Sequence, residues 1–188
     1  MDLMEVFSDK FAELLNITQR IADATTDIGT KMTERSAEIE ALPRDQNGNA
    51  NQKDAKRLIT RAASDMDQFA ARIHAEMPLF SDCMNTGMNS FIKAATLMVD
   101  LDVDDSDART GLDAVVKLRS SLSESKGSTE MLRESIATLP RMTTALNKSK
   151  RNAVSAIDDL LAEFENSDKL LVESEKVIAD LLDDSSDG

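Results

Sequence analysis

The chain has 188 residues, 41% hydrophobic and 30% charged, with 35 Asp and Glu against 22 Lys and Arg, a net charge of −13. That length suits one ordinary domain, and the apolar content is enough for a core, which argues against wholesale disorder. Aromatics at 3%, no Trp or Tyr, six Gly and three Pro argue against β-sandwiches and barrels, which need aromatic and β-branched strands and frequent turns. The same composition suits long helices.

The first helix is expected from Leu3 to Leu42. Its apolar positions Phe7, Phe11, Leu14, Ile21, Ile28, Met32, Ile39 and Leu42 step by fours and threes if Thr18, Thr25 and Arg35 fill the vacant places, a heptad stripe that faces a partner helix. Pro43 ends it by pushing the preceding residue out of the α region. The loop 44–52 follows, rich in Asp and Asn. A second helix is expected from Gln52 to Leu101, with its seam at Ala55, Ile59, Ala62, Met66, Phe69, Ile73, Phe80, Met84, Gly87, Phe91, Ala94, Met98 and Leu101. Pro78 removes a backbone donor and predicts a kink, or else two shorter helices.

The acidic stretch Asp100 to Asp107 reads as a turn, with Ser106 or Asp107 as the cap of a third helix. That helix carries Val115, Leu118, Leu122, Leu132, Ile136 and Leu139 around the weak layers Ser125 and Thr129. Gly127 or Pro140 is its expected break, and a break at both would make five helices. The last helix has Val154, Ile157, Leu161, Phe164, Leu171, Ile178 and Leu182 at heptad steps, with Asp168 and Glu175 in the gaps. Leu160, Leu170, Val177 and Leu181 flank that stripe. The expected fold is therefore all-α, an elongated antiparallel up-down bundle of about four long helices, one domain over 1–182 with an acidic disordered tail at 183–188.

The charge is uneven. Residues 1–151 have a net charge of −4 and residues 152–188 a net of −9. Such a chain disfavours nucleic acid and anionic lipid as partners. The most apolar stretch, Phe91 to Leu101, is broken by Lys93 and Asp100 and is short of the roughly 20 residues of a membrane span. No basic region followed by an apolar block opens the sequence, and Cys83 is the single cysteine, so the expectation is a cytoplasmic protein without a disulfide.

Chemistry-bearing residues are sparse. His74 is the sole histidine, and Ala71 stands where a Glu-x-x-His metal motif needs its acid. Cys83 has no histidine in its turn and Asp82 beside it, the wrong setting for a nucleophilic thiol. Asp102, Asp104 and Ser106 match the first ligands of a calcium loop, but Asp107 replaces its glycine and Asp113 its closing glutamate. The run Asp45, Asn47, Asn49 closes on Lys56. No phosphate-binding glycine motif occurs. The basic groups Lys53, Arg57, Arg61 and Arg141, Lys148, Lys150, Arg151 have no aromatic neighbour to stack on bases. Met77, Met84, Met88 and Met98 gather on the second helix, as core filling or as an adaptable surface.

The long Ala-, Ser- and Thr-rich heptads with few aromatics resemble bacterial chemoreceptor signalling helices and talin-type rod bundles. The receptor's paired-glutamate methylation site and hairpin tip are missing, and the resemblance implies a bundle only. The expected function is a non-enzymatic protein–protein interaction module, a scaffold, adaptor or assembly subunit without cofactor or metal. A signal-transducing bundle and the soluble form of a membrane-active protein are the alternatives. The expected contact residues are Leu160, Phe164, Leu171 and Ile178 on the last helix and Met84 and Met88 on the second. The expected partner is a protein with a basic surface or a second copy of the chain.

Overall fold

The computed structural model describes residues 2–45, 51–101, 103–139 and 143–184. Four helices account for nearly all of them: α1 Leu3–Glu40, α2 Gln52–Asp100, α3 Ser106–Thr138 and α4 Thr144–Asp184. No strand occurs among the described residues. Side chains start the helices by accepting from otherwise unpaired backbone donors. Asp2 Oδ1 takes the Met4 N–H at 3.0 Å, Asn51 Oδ1 the Lys53 N–H at 3.0 Å and Thr143 Oγ1 the Leu146 N–H at 3.2 Å. Each such cap contributes about 1 kcal/mol. For α3 the acceptor is Asp104, which takes the Ser106 N–H at 3.0 Å. The expected caps Ser106 and Asp107 already lie in the first turn.

Helix α1 ends at Glu40, two residues before the expected Leu42, in a turn tightened by the Leu42 N–H on the Ile39 carbonyl. Helix α2 passes through Pro78 unbroken, so the two-helix alternative does not hold. Helix α3 passes through Gly127, which is therefore not the break, and Pro140 lies outside the described residues. Helix α4 extends through Asp184, beyond the expected start of the tail, of which residues 185–188 lie outside the described residues.

The residues form two compact units, each drawing a segment from all four helices. Unit 1 comprises residues 1–19, 77–127 and 162–188, and unit 2 comprises residues 20–76 and 128–161. In unit 1, Phe7 stacks on Phe91 with centroids 4.3 Å apart, and Lys10 reaches Asp82 at 3.5 Å. Advance along α1 is thus retreat along α2, and the pair is antiparallel. Arg119 joins Asp168 and Glu175 at 3.1 and 3.3 Å, and Arg109 donates to the Leu182 carbonyl, so α3 and α4 are antiparallel as well. Phe80 meets the edge of Phe164 at 5.8 Å and brings α2 against α4.

Unit 2 repeats the plan. Arg20–Glu76 (2.7 Å) and Arg35–Asp65 (3.4 Å) join α1 to α2, and Arg133–Asp158 joins α3 to α4. Asp67 accepts from Ser149 and Asn152, and His74 stands 3.5 Å from Asp159. Here α2 and α4 advance together, as parallel neighbours. Thr25, Gly29, Met32 and Ser36 of α1 share a groove with Ser128, Leu132 and Ser135 of α3 and with Leu139 just beyond it, a second parallel contact. Each unit is an up-down bundle of two antiparallel pairs, α1/α2 and α3/α4, joined side to side by parallel contacts.

The core follows the heptads, at the expected register in α3 and with corrections in α1 and α4. In α3, Ala108, Val115, Leu118, Leu122, Thr129, Leu132 and Ile136 are buried. With Gly111 and Ser125 they step by threes and fours throughout. In α4 the buried Ser167 and Ser174 stand one residue before the expected Asp168 and Glu175, which turn outward to Arg119. In α1, Ile17 and Ala24 fill the layers assigned to Thr18 and Thr25. Those two hydroxyls donate to the Leu14 and Ile21 carbonyls at 2.9 Å.

Candidate interaction surface

All six residues expected to meet a partner are interior. Met84, Met88, Phe164, Leu171 and Ile178 in unit 1 and Leu160 in unit 2 are each no more than 2% exposed. A partner would touch them only by displacing a helix, so a contact surface on the folded chain has to be sought elsewhere.

The chemistry-bearing residues are occupied structurally. His74 is exposed beside Asp159. Among the described residues no group of three or more His, Cys, Asp or Glu is placed to hold a metal ion. Cys83 is buried, and its thiol is pushed up to about 11, by burial first and then by its hydrogen bond with Glu13. At neutral pH it is a packed thiol rather than a thiolate. Of the calcium-like loop, Asp104 caps α3 and Asp105 pairs with Arg109 at 2.8 Å, while Asp102 lies outside the described residues, as do Asn47 and Asn49. Lys53, Arg57, Arg61, Lys148 and Arg151 are exposed, Lys150 donates to the Leu139 carbonyl at 2.7 Å, and Arg141 lies outside the described residues.

The two units divide the charge sharply. Unit 2 holds 14 acids and 14 bases, whereas unit 1 holds 21 acids and 8 bases, the whole net charge of −13. Unit 1 also carries a cluster of exposed apolar side chains where α1 begins and α2 ends. Leu97, Leu101 and Val103 are 49, 68 and 54% exposed. With Leu3, Met4, Ala94 and Met98 they line a hollow of about 260 Å³, and Asp2 stands at its edge. Two backbone bonds fix its far wall, Leu101 N–H to the Leu97 carbonyl and Val103 N–H to the Met98 carbonyl, both 3.1 Å.

The hollow arises because α2 outruns α1. Phe7 lies against Phe91, and a Cβ on Gly87 would lie 3.4 Å from that of Lys10. At that register Leu3, the first helical residue of α1, faces about residue 95, and the last turn of α2 has no α1 beside it. The expected seam positions Met98 and Leu101 therefore do not enter the core. Met98 is half-buried and Leu101 faces solvent. Asp2 is exposed, as are Glu5, Asp100 and Asp104, the carboxylates next in sequence to the lining residues Met4, Leu101 and Val103, and Lys93 is the base one turn before Leu97. Among the described residues no helix is long and apolar enough to cross a membrane. Comparison with protein-family models, curated proteins and solved structures finds no match.

Proposed function

We propose that the protein is a non-enzymatic interaction module that engages a positively charged protein surface through unit 1. The observation that carries this reading is the segregation of charge, −13 on one unit and balance on the other. Long-range attraction scales with such a field and sets both partner choice and association rate.

The test uses the full chain and a dye-labelled helical peptide of Lys and Gln, followed by fluorescence anisotropy at low and high salt. Binding should weaken steeply with salt. It should fall on changing Asp2, Glu5, Asp100 and Asp104 to their amides, and persist when four exposed acids of unit 2 are changed instead. Equal loss from both sets, or no binding at low salt, would refute the proposal.

A second reading, a bundle that transmits signals by shifting helix register, draws on the buried polar layers Thr129, Ser167 and Ser174. Polar seam residues set register at a cost in stability.

A further inference from the structure

We infer that the hollow formed by Leu3, Met4, Leu97, Met98, Leu101 and Val103 receives one bulky apolar side chain from a cationic peptide segment of the partner. This rests on the reading of unit 1 as an interaction surface and adds to it the anchor and its pocket. Three observations converge on it.

The first is size. A hollow of about 260 Å³ is smaller than the roughly 300–1,000 Å³ of small-molecule pockets. It matches a single large side chain, and buried anchors of this kind, aromatic ones above all, dominate the energy of protein interfaces.

The second is the charge beside it. Asp2 lines the hollow, and Glu5, Asp100 and Asp104 are exposed carboxylates next in sequence to its lining residues Met4, Leu101 and Val103. Arg109 is tied to Asp105 and to the Leu182 carbonyl, which leaves Lys93 as the opposing base on α2. An apolar centre with carboxylates beside it complements an apolar anchor flanked by Lys or Arg.

The third is the direction of the helices. Phe80 and Phe164 touch, and α2 and α4 each continue 20 residues beyond that contact, about 30 Å, to Asp100 and Asp184. Neither helix has a base in its last turn. The C-terminus of α4 is met by Arg109, which donates to the Leu182 carbonyl, whereas that of α2 carries Asp100 and no base of its own, the reverse of the stabilising arrangement. A cationic segment laid across the hollow would supply positive charge at the end of α2.

The experiment compares two labelled helical peptides of equal charge, one of Lys and Gln and one with a single central Gln replaced by Trp, titrated with the full chain in fluorescence anisotropy. The Trp peptide should bind about tenfold tighter or better. Leu97→Ser with Leu101→Ser should erase that advantage and leave the melting temperature near that of the parent, since both side chains face solvent. Val103→Ser, outside any helix, should reduce it independently, and Met131→Ser on the exposed surface of unit 2 should leave it unchanged. Equal affinity for the two peptides, or an advantage that survives the serine variants, would overturn the pocket and leave the charged-surface reading intact. Failure of both peptides to bind would overturn both.

Discussion

Replacing Gly111 with Ala places a methyl group where the Phe7–Phe91 stack already lies. A Cβ there would stand 2.6 Å from Cε2 and Cζ of Phe91 and 3.2 Å from Cε1 of Phe7. Carbon atoms settle at about 3.5–4.0 Å, so the Phe91 ring would have to retreat by about 1 Å. It has little room, being fully buried and stacked on Phe7 at 4.3 Å. Overpacking of this kind costs about 1–3 kcal/mol. Gly to Ala inside a helix returns about 1 kcal/mol of propensity, so Gly111→Ala should lower stability by up to about 2 kcal/mol. Gly127→Ala supplies the control within the same helix, because nothing lies within 4 Å of a Cβ there. It should gain the propensity without the clash, about 0.5–1 kcal/mol. The gap between the variants isolates the steric term, about 2–12 °C in melting temperature for a chain of this size. Thermal unfolding followed by far-UV circular dichroism measures it. Equal stabilisation by the two alanines would refute the placement of the two rings over Gly111.

Ser174→Ala should raise the melting temperature, since the Ser174 hydroxyl is buried without a hydrogen-bond partner and its removal relieves about 1 kcal/mol of desolvation; an unchanged or lower value would show a bond to that hydroxyl. Cys83 should make stability fall as pH rises from about 9 to about 11, because the unfolded thiol gives up its proton near 9.0 while the buried one holds it to about 11. Chemical denaturation of the parent and of Cys83→Ala across that range should show the steeper decline in the parent. Asp100→Lys should stabilise the fold by about 0.3–1 kcal/mol, through the α2 macrodipole, while weakening the Lys–Gln peptide; melting and anisotropy on the same sample would show whether the two effects separate.

The helices and the first two of their connections were legible in the sequence because apolar residues recur at helical spacing and Pro43 and the Asp-rich turn at 100–107 interrupt them, whereas the third was left open between Gly127 and Pro140. Register was less so. Ser167 and Asp168, and likewise Ser174 and Glu175, are adjacent polar residues, and counting apolar steps does not say which of each pair faces inward. Packing decides it, because the smaller serine fits the seam and the carboxylate reaches Arg119. The parallel contacts α2/α4 and α1/α3 were not legible, since heptads report a buried stripe but not which helix covers it. The hollow was hidden for a further reason. Met98 and Leu101 continue the α2 spacing without a flaw, and only the depth at which α1 starts leaves them uncovered.

The charges at the end of α2 follow the opposite logic to those along the helix sides. Along the sides, acids meet bases across each antiparallel pair, as in Arg20–Glu76, Arg35–Asp65 and Arg119–Asp168. At the C-terminus of α2, Asp100 accompanies carbonyl ends that already favour cations, whereas at that of α4 Arg109 reaches the Leu182 carbonyl. The placement of Asp100 costs about 0.3–1 kcal/mol, and a Lys there would reverse the sign. Asp100 is next in sequence to Leu101, which lines the apolar hollow at the end of α2. Under the proposed reading, a cationic partner docked at that hollow would offset the cost at Asp100.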